Sequence, residues 1–394
     1  MNNKMREIYF DNAATTKVCT QACDVIMQTI SKDYGNPSSL HLKGITAENY
    51  IKEARAIFAN LLKVNEKEFV FTSGGTESNN MALIGAAMAN CRRGKHIITT
   101  AIEHPSVSAP LAALKAHGFE VTQLPVDEKG VVSLKALEKA IREDTIMVSS
   151  IYVNNEIGTI QPIEQMGRLI KRINGEALFH VDAIQAFGKF HIYPKRYGID
   201  LMTISSHKFH GPKGVGLLYI REGTKVKPIL LGGGQQKGMR SGTENVPGVA
   251  GMAHAAKTVY ENLTTKVDGL YGLRAYFIRQ LMSFEDVVIN SNDQEVAAPH
   301  IVSAAFGDIK AEVLLHALEE RGIYVSSGSA CSSNHPAVSV TLKAIGVNPK
   351  YLDATVRFSF SYETTKEEMD DCLKALAELV PMLRRYTPGG KKRV

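Results

Sequence analysis

The sequence predicts an α/β fold: a large domain on a mostly parallel sheet, followed by a smaller α/β domain. Three observations predict it. Short β-branched runs alternate with longer segments of helical period, as happens where strands are joined by crossover helices. The alternation restarts on a smaller scale beyond residue 262. The chain has 394 residues, 44% of them hydrophobic, more than one ordinary domain of roughly 150 residues holds.

The elements follow in order. Phe69-Val70-Phe71, His96-Ile97-Ile98, Ile146-Met147-Val148, Leu178 to Val181 and Leu201 to Ile204 read as strands. Ser133 to Ile141 and Ile163 to Ile173 read as amphipathic helices between them. From Val249 to Leu281 apolar residues step mostly by three or four, which predicts one long helix or two with a break near Gly269. The smaller unit then shows strands at Val287–Ile289 and Ile301–Ala305, a helix over Glu312–Leu318 and a last helix over Lys366–Leu383. A boundary is placed at residue 262: residues 16–262 form the large domain, and residues 1–15 with 263–394 the small one.

Composition narrows the function. Lys+Arg number 46 against 40 Asp+Glu, a net charge of +6 that is thin over this length and gives no reason to expect direct nucleic-acid binding. The one dense basic cluster, Lys391, Lys392 and Arg393, is read as a solvated tail. No apolar run approaches the ~18 residues of a membrane-spanning helix, and the first residues have no apolar signal core. A cytoplasmic protein is expected. The five cysteines stand at 19, 23, 91, 331 and 372 with no C-x-x-C pair, so neither a disulfide framework nor a metal site is expected.

Three motifs carry chemistry. Thr72-Ser73-Gly74-Gly75-Thr76-Glu77-Ser78-Asn79 follows a strand and opens a helix. Its glycines let backbone N–H groups approach an anion at the helix N-terminus, although a tight turn capped by Thr76 is the plainer reading. His180-Val181-Asp182-Ala183-Ile184-Gln185 ends an apolar strand on a carboxylate, either a helix cap or a partner for a pyridinium nitrogen. Ser205-Ser206-His207-Lys208-Phe209-His210-Gly211-Pro212 presents a lysine at a strand end, a surface lysine or a Schiff-base amine. Together a phosphate cup, a strand-end Asp and a strand-end Lys would hold pyridoxal 5′-phosphate at its phosphate, ring nitrogen and aldehyde. Nothing matches the nucleoside triphosphate or dinucleotide motifs.

With these motifs the chain resembles the class V, fold-type I enzymes that use pyridoxal phosphate, and among them the cysteine desulfurases of the NifS/IscS type. The resemblance runs nearly end to end, through YFDNAATT (9–16), GNPSSLH (35–41), TSGGTESNN (72–80), EHPSV (103–107), NNEIGTIQPI (154–163), HVDAIQAFGK (180–189), SSHKFHGPKG (205–214), GGGQQKGMRSGTEN (232–245), SSGSACSS (326–333) and VRFSF (356–360). It implies a seven-stranded sheet in the large domain and a homodimer. It also implies conversion of L-cysteine to L-alanine, with the sulfur held as a persulfide and passed to an acceptor protein of iron–sulfur assembly or transfer-RNA thiolation.

The resemblance assigns roles residue by residue. Lys208 is the Schiff-base lysine and proton acceptor, with Ser205 and His207 beside it and Ser205 on the cofactor phosphate. Asp182 pairs with the ring nitrogen and Gln185 with the phenolic oxygen. Gly75 and Thr76 form the phosphate turn. His104 stacks on the ring and moves protons, and Asn155 contacts cofactor or substrate. Thr243 serves the phosphate of the neighbouring subunit. Arg357 grips the substrate carboxylate, with Asn36 a second candidate, and Cys331 carries the persulfide. The small residues around Cys331 match the long-loop branch of the family. Two departures stand out: Gly75 where alanine is frequent, and Pro105 after His104. Another reaction on the same scaffold, a non-catalytic assembly subunit and a phosphate-binding regulatory module are the alternatives. Cys331 argues against the first, the presence of Lys208, Cys331 and Arg357 against the second, and the third leaves the lysine motif unexplained.

Overall fold

In a computed structural model, residues 6–291, 297–327 and 339–386 are described. The strands are β1 (Ile8–Tyr9), β2 (Phe69–Thr72), β3 (His96–Thr100), β4 (Glu120–Leu124), β5 (Thr145–Ile151), β6 (Leu178–Asp182), β7 (Leu201–Ser205), β8 (Gly216–Ile220), β9 (Val287–Ile289), β10 (Ile301–Phe306), β11 (Ile323–Tyr324), β12 (Ser326–Ser327) and β13 (Thr355–Ser359). A seven-stranded sheet runs in the order β2-β8-β7-β6-β5-β3-β4, with β8 alone antiparallel to its neighbours. The other six strands point one way, so their carboxyl ends share one edge. Ligand sites of parallel sheets form at that edge.

The interior strands read from sequence as unbroken apolar runs because both sheet faces are covered. Every residue of β2, β3, β5 and β7 is buried. Two strands of this sheet were absent from the sequence reading, as were β1, β11, β12 and β13 outside it. β4 is one of the two edge strands and carries Glu120, Thr122 and Gln123, with only Leu124 buried. β8 is short and directly follows a glycine-rich turn.

Helix Ile163–Ile173 has the predicted limits, and Ser133 caps helix Leu134–Ala140 by accepting from the Ala136 N–H. The long apolar stretch forms two helices, Val246–Tyr260 and Leu263–Leu281, that part at Asn262 and not at Gly269. Asn262 is left-handed with φ 55°, a conformation asparagine tolerates better than most residues, whereas Gly269 continues the helix.

A four-stranded antiparallel sheet, β12-β13-β10-β9, lies beyond this break, with the parallel pair β1-β11 beside it. Its core stacks Phe10 edge-on to Phe360 at 5.1 Å and Phe277 to Phe358 at 5.1 Å. The amino-terminal Ile8 and Phe10 belong to that core, while Val246–Leu263 packs with the large sheet. The last helix, Lys366–Arg384, starts in a capping box of Thr365 and Glu368. Among the described residues no helix is long and apolar enough to cross a membrane, and no group of three or more His, Cys, Asp or Glu forms a metal site.

Candidate active site

Strand ends and turns deliver the chemistry to one place. A cavity of about 300 Å³ is lined by Gly75, Thr76, His104, Asn155, Asp182, Gln185, Ser205, His207, Lys208 and Arg357, together with Ala13, Ala14, Ser106, Ile151 and Ile184. Ten of the residues read from sequence therefore meet at the carboxyl edge of the sheet. Asp182 ends β6, Ser205 ends β7, and Lys208 closes a 3₁₀ turn directly after it.

The amine of Lys208 is held by two carbonyls, donating to Ala13 O at 2.7 Å and Ala14 O at 2.7 Å. These come from an amino-terminal strap that is stitched to the lysine turn, with the Thr16 N–H and hydroxyl donating to His207 O. Behind the turn, buried Lys189 donates to Lys208 O at 3.3 Å and lies 5.5 Å over the Tyr362 ring. Burial, reinforced by the Lys208 charge, draws the Lys189 amine down to about 8. Burial likewise draws His207 down to about 4, with Lys208 and Lys213 adding to the effect, so it is neutral at physiological pH.

Asp182 is 2% exposed and accepts from Asn79 Nδ2 at 2.8 Å and from the Ile184 N–H at 3.0 Å. Burial pushes its carboxyl upward, against those donors and the pull of His104 and Lys208. Gln185 donates to Ala13 O at 2.9 Å and meets His300 Nε2 at 3.2 Å, which fixes its amide in place. His104 is drawn below the usual histidine range by burial and by the Lys208 charge, with Asp182 opposing. Glu103 lies beside them: burial pushes it up to about 8, and its Oε2 meets no partner among the described residues.

Arg357 sits in the middle of β13, 5% exposed. It donates to Asn155 O at 2.8 Å and to Asp11 Oδ1 at 2.8 Å, while its buried Nε has no partner among the described residues. An orphaned, buried N–H of a guanidinium is costly unless an acceptor arrives, and a carboxylate bound side-on to the fork supplies one.

The site fits pyridoxal phosphate on these observations. The helix opening at Gly75 places its N-terminal end at the cavity, and helix N-termini suit an anion. A methyl on Gly75 would come within 2.3 Å of Ile184 Cδ1, so the alanine frequent here in the resembling family would displace Ile184. The departure at Gly75 thus goes with an isoleucine that leans into the turn. A buried carboxylate and a lysine amine complete the set of groups that the ring nitrogen and the aldehyde call for.

Two residues stay outside the cavity. Asn36 is exposed and accepts from the Ser38 N–H, closing its own turn. Thr243 is exposed on the loop that Arg240 ties to Glu77 at 2.8 Å. Cys331 and the Lys391–Arg393 tail lie outside the described residues. The sequence reading also missed Asp11, the carbonyls of Ala13 and Ala14, Asn79, Ser106 and Lys189. Each except Ser106 stands beside an assigned residue only through the fold, although all lie inside motifs already singled out.

Comparison with known proteins places this geometry. The class-V aminotransferase model matches residues 8–372. A cysteine desulfurase IscS of Dictyoglomus turgidum is 41% identical over 97% of this chain and 97% of its own length. A NifS-like protein of known structure shares 39% identity and superposes with a TM-score of 0.91 over 96% of this chain and 100% of its own. A structure described as SspA in complex with cysteine is 32% identical, with a TM-score of 0.80 over 91% of this chain and 100% of that one. The chain therefore belongs to the class-V aminotransferase family and, within it, to the NifS/IscS-like cysteine desulfurases.

Proposed function

We propose that the protein is a pyridoxal-phosphate-dependent cysteine desulfurase that converts L-cysteine and an enzyme thiol into L-alanine and an enzyme persulfide. The observation that carries this reading is the convergence of Lys208, Asp182, His104 and Arg357 on one cavity. The cofactor, when bound, supplies an electron sink that makes the substrate's α-proton removable.

The chain's own residues do the rest. Arg357 binds the substrate carboxylate through its unpartnered Nε and so orients the α-carbon. Lys208 accepts the α-proton from a position set by the strap carbonyls and returns it. Asp182 would accept from the ring N–H, and Gln185, its amide held by Ala13 and His300, would serve the phenolic-oxygen side. Ser205, His207 and Thr76 serve the phosphate end, and Asn155 lies against Arg357 at the substrate end. The thiolate of Cys331 attacks the substrate sulfur, so an S–S bond forms as the C–S bond breaks and the carbon side leaves as alanine. A thiol of a partner protein then collects the sulfur.

Two further features belong to the reading. The chain divides at residue 262, with residues 1–15 joining the carboxyl-terminal domain. It works as a homodimer in the cytoplasm, Thr243 reaching the phosphate site of the second copy. Met27, Ile30, Leu40, Leu42 and Leu231 are exposed apolar side chains that such a contact would cover.

Incubating the purified, cofactor-loaded protein with L-cysteine and a reductant is expected to yield sulfide and alanine in equal amounts. A visible cofactor band with neither product would overturn the reaction while leaving the fold intact. For Arg357→Lys we expect the KM for L-cysteine to rise about 10- to 100-fold with a smaller change in kcat, because an ammonium cannot replace a bidentate fork. Steady-state kinetics would show otherwise if KM stayed put.

A further inference from the structure

We propose that Asn79 and Ser106 are positioning residues for this reaction: they hold Asp182 as a carboxylate facing Asn79, and His104 in the tautomer with its proton on Nε2. The proposal rests on the reading that Asp182 and His104 flank bound pyridoxal phosphate.

The direction of every hydrogen bond in the chain follows from one donor that cannot reverse. His104 caps helix Pro105–Ala116, and the backbone N–H of Ser106 donates to its Nδ1 at 3.1 Å. A backbone N–H only donates, so Nδ1 bears the lone pair and a neutral ring keeps its proton on Nε2. The Ser106 hydroxyl lies 2.8 Å from the same Nδ1 and so gives its one proton there. Its lone pairs are left to accept, and Asn79 Nδ2 stands 2.9 Å away. The amide nitrogen therefore faces Ser106, and its other proton goes to Asp182 Oδ2 at 2.8 Å. Turning the amide over would set Oδ1 against a hydroxyl with no proton to spare and against a carboxylate. The observed orientation instead leaves Oδ1 buried without a partner among the described residues, a cost of the arrangement.

Two chemical consequences follow. Asp182 receives two N–H donors in a site that otherwise favours its neutral form, which keeps it available to a protonated ring nitrogen. His104 cannot take a proton at Nδ1 without expelling two donors, so under this proposal it is a stacking ring with an Nε2–H, in place of the proton-moving role the family resemblance gives it. Lys208 and Glu103 are the other titratable groups that bear on the pair. Glu103 supplies no hydrogen bond to Asp182 or His104 among those described.

The test uses the full-length, cofactor-loaded protein with 15N-labelled histidine, the His104 signals being assigned by their loss in His104→Gln. We expect His104 Nδ1 to resonate as a bare nitrogen from about pH 6 to 8.5. In Asn79→Ala the pH midpoint of the cofactor's visible absorption should move by about one unit, a tenfold change in proton affinity. Ser106→Ala should move it by less, and Ser106→Thr, which keeps the hydroxyl, should restore the wild-type midpoint. A protonated Nδ1, or Asn79→Ala and Ser106→Ala both titrating as wild type, would overturn the proposal. Failure to form a cofactor band at all would instead sink the underlying reading of the site.

Discussion

Lys208→Ala is expected to abolish desulfuration, lowering turnover by at least about 10³-fold, in the range that loss of a positioned proton acceptor produces. The lysine stands at the end of a buried strand, in a turn whose backbone is gripped by Lys189 behind and by Thr16 in front. Its amine meets the strap carbonyls at 2.7 Å. No neighbouring side chain can take its place. His207 is neutral but turned to the Thr15 hydroxyl at 3.3 Å, and the Lys189 amine is committed to a carbonyl. The backbone ties of the turn to Lys189 and Thr16 remain in the mutant, so the fold is expected to persist and the cofactor to be held only noncovalently. Three measurements decide it: thermal melting close to wild type, cofactor lost on extended dialysis, and no alanine formed. Alanine production at more than a hundredth of the wild-type rate would remove Lys208 from the role assigned to it.

Cys331→Ala is expected to leave cofactor binding and the spectral response to L-cysteine intact while stopping sulfide and alanine production. In the proposed reaction substrate recognition falls to Arg357 and the cavity, whereas the thiol of Cys331 is needed only when the C–S bond breaks. The described chain on either side of the Cys331 segment is tied to the site. Ser326 pairs with Arg357 across β12 and β13, and the Ser339 hydroxyl donates to Glu156, next to Asn155. The other cysteines lack such a position. Cys372 is fully buried and burial pushes its thiol far up, and burial also raises that of Cys19. Cys23→Ala, at an exposed position, is expected to behave as wild type. Sulfide release by Cys331→Ala at the wild-type rate would transfer the role to another thiol.

The sequence carried the interior of the sheet because a strand covered on both faces is written as a contiguous apolar run, and each of the five strands read that way exists. β2 is an edge strand too, but it is buried along its whole length and so was legible; β4 escaped because only Leu124 of it is buried, and β8, an apolar run, because its start merges with the glycine turn before it. The helix break at Asn262 and not at Gly269 has a similar cause. A left-handed residue between two apolar stripes leaves the three-to-four spacing nearly undisturbed, while a glycine inside a helix can simply remain helical.

By itself, the sequence determined the chemical alphabet of the site: a glycine turn opening a helix, a carboxylate and a lysine closing strands, an arginine in the VRFSF motif and one cysteine among small residues. These are local facts, each written within a few adjacent positions. Only the tertiary structure decided what those groups touch. The carbonyls that hold Lys208 come from 194 and 195 residues away, and the carboxylate on Arg357 from 346. Asn79 reaches Asp182 across 103 residues. No periodicity encodes such pairings, because they join segments far apart in sequence that meet only where the strap, the helix opening at Gly75 and the strand ends come together. Asn36 and Thr243 show the converse. Their motifs were legible, yet the fold of one chain leaves both at the surface, since a side chain's reach is set by the backbone that carries it and not by the motif in which it is spelled.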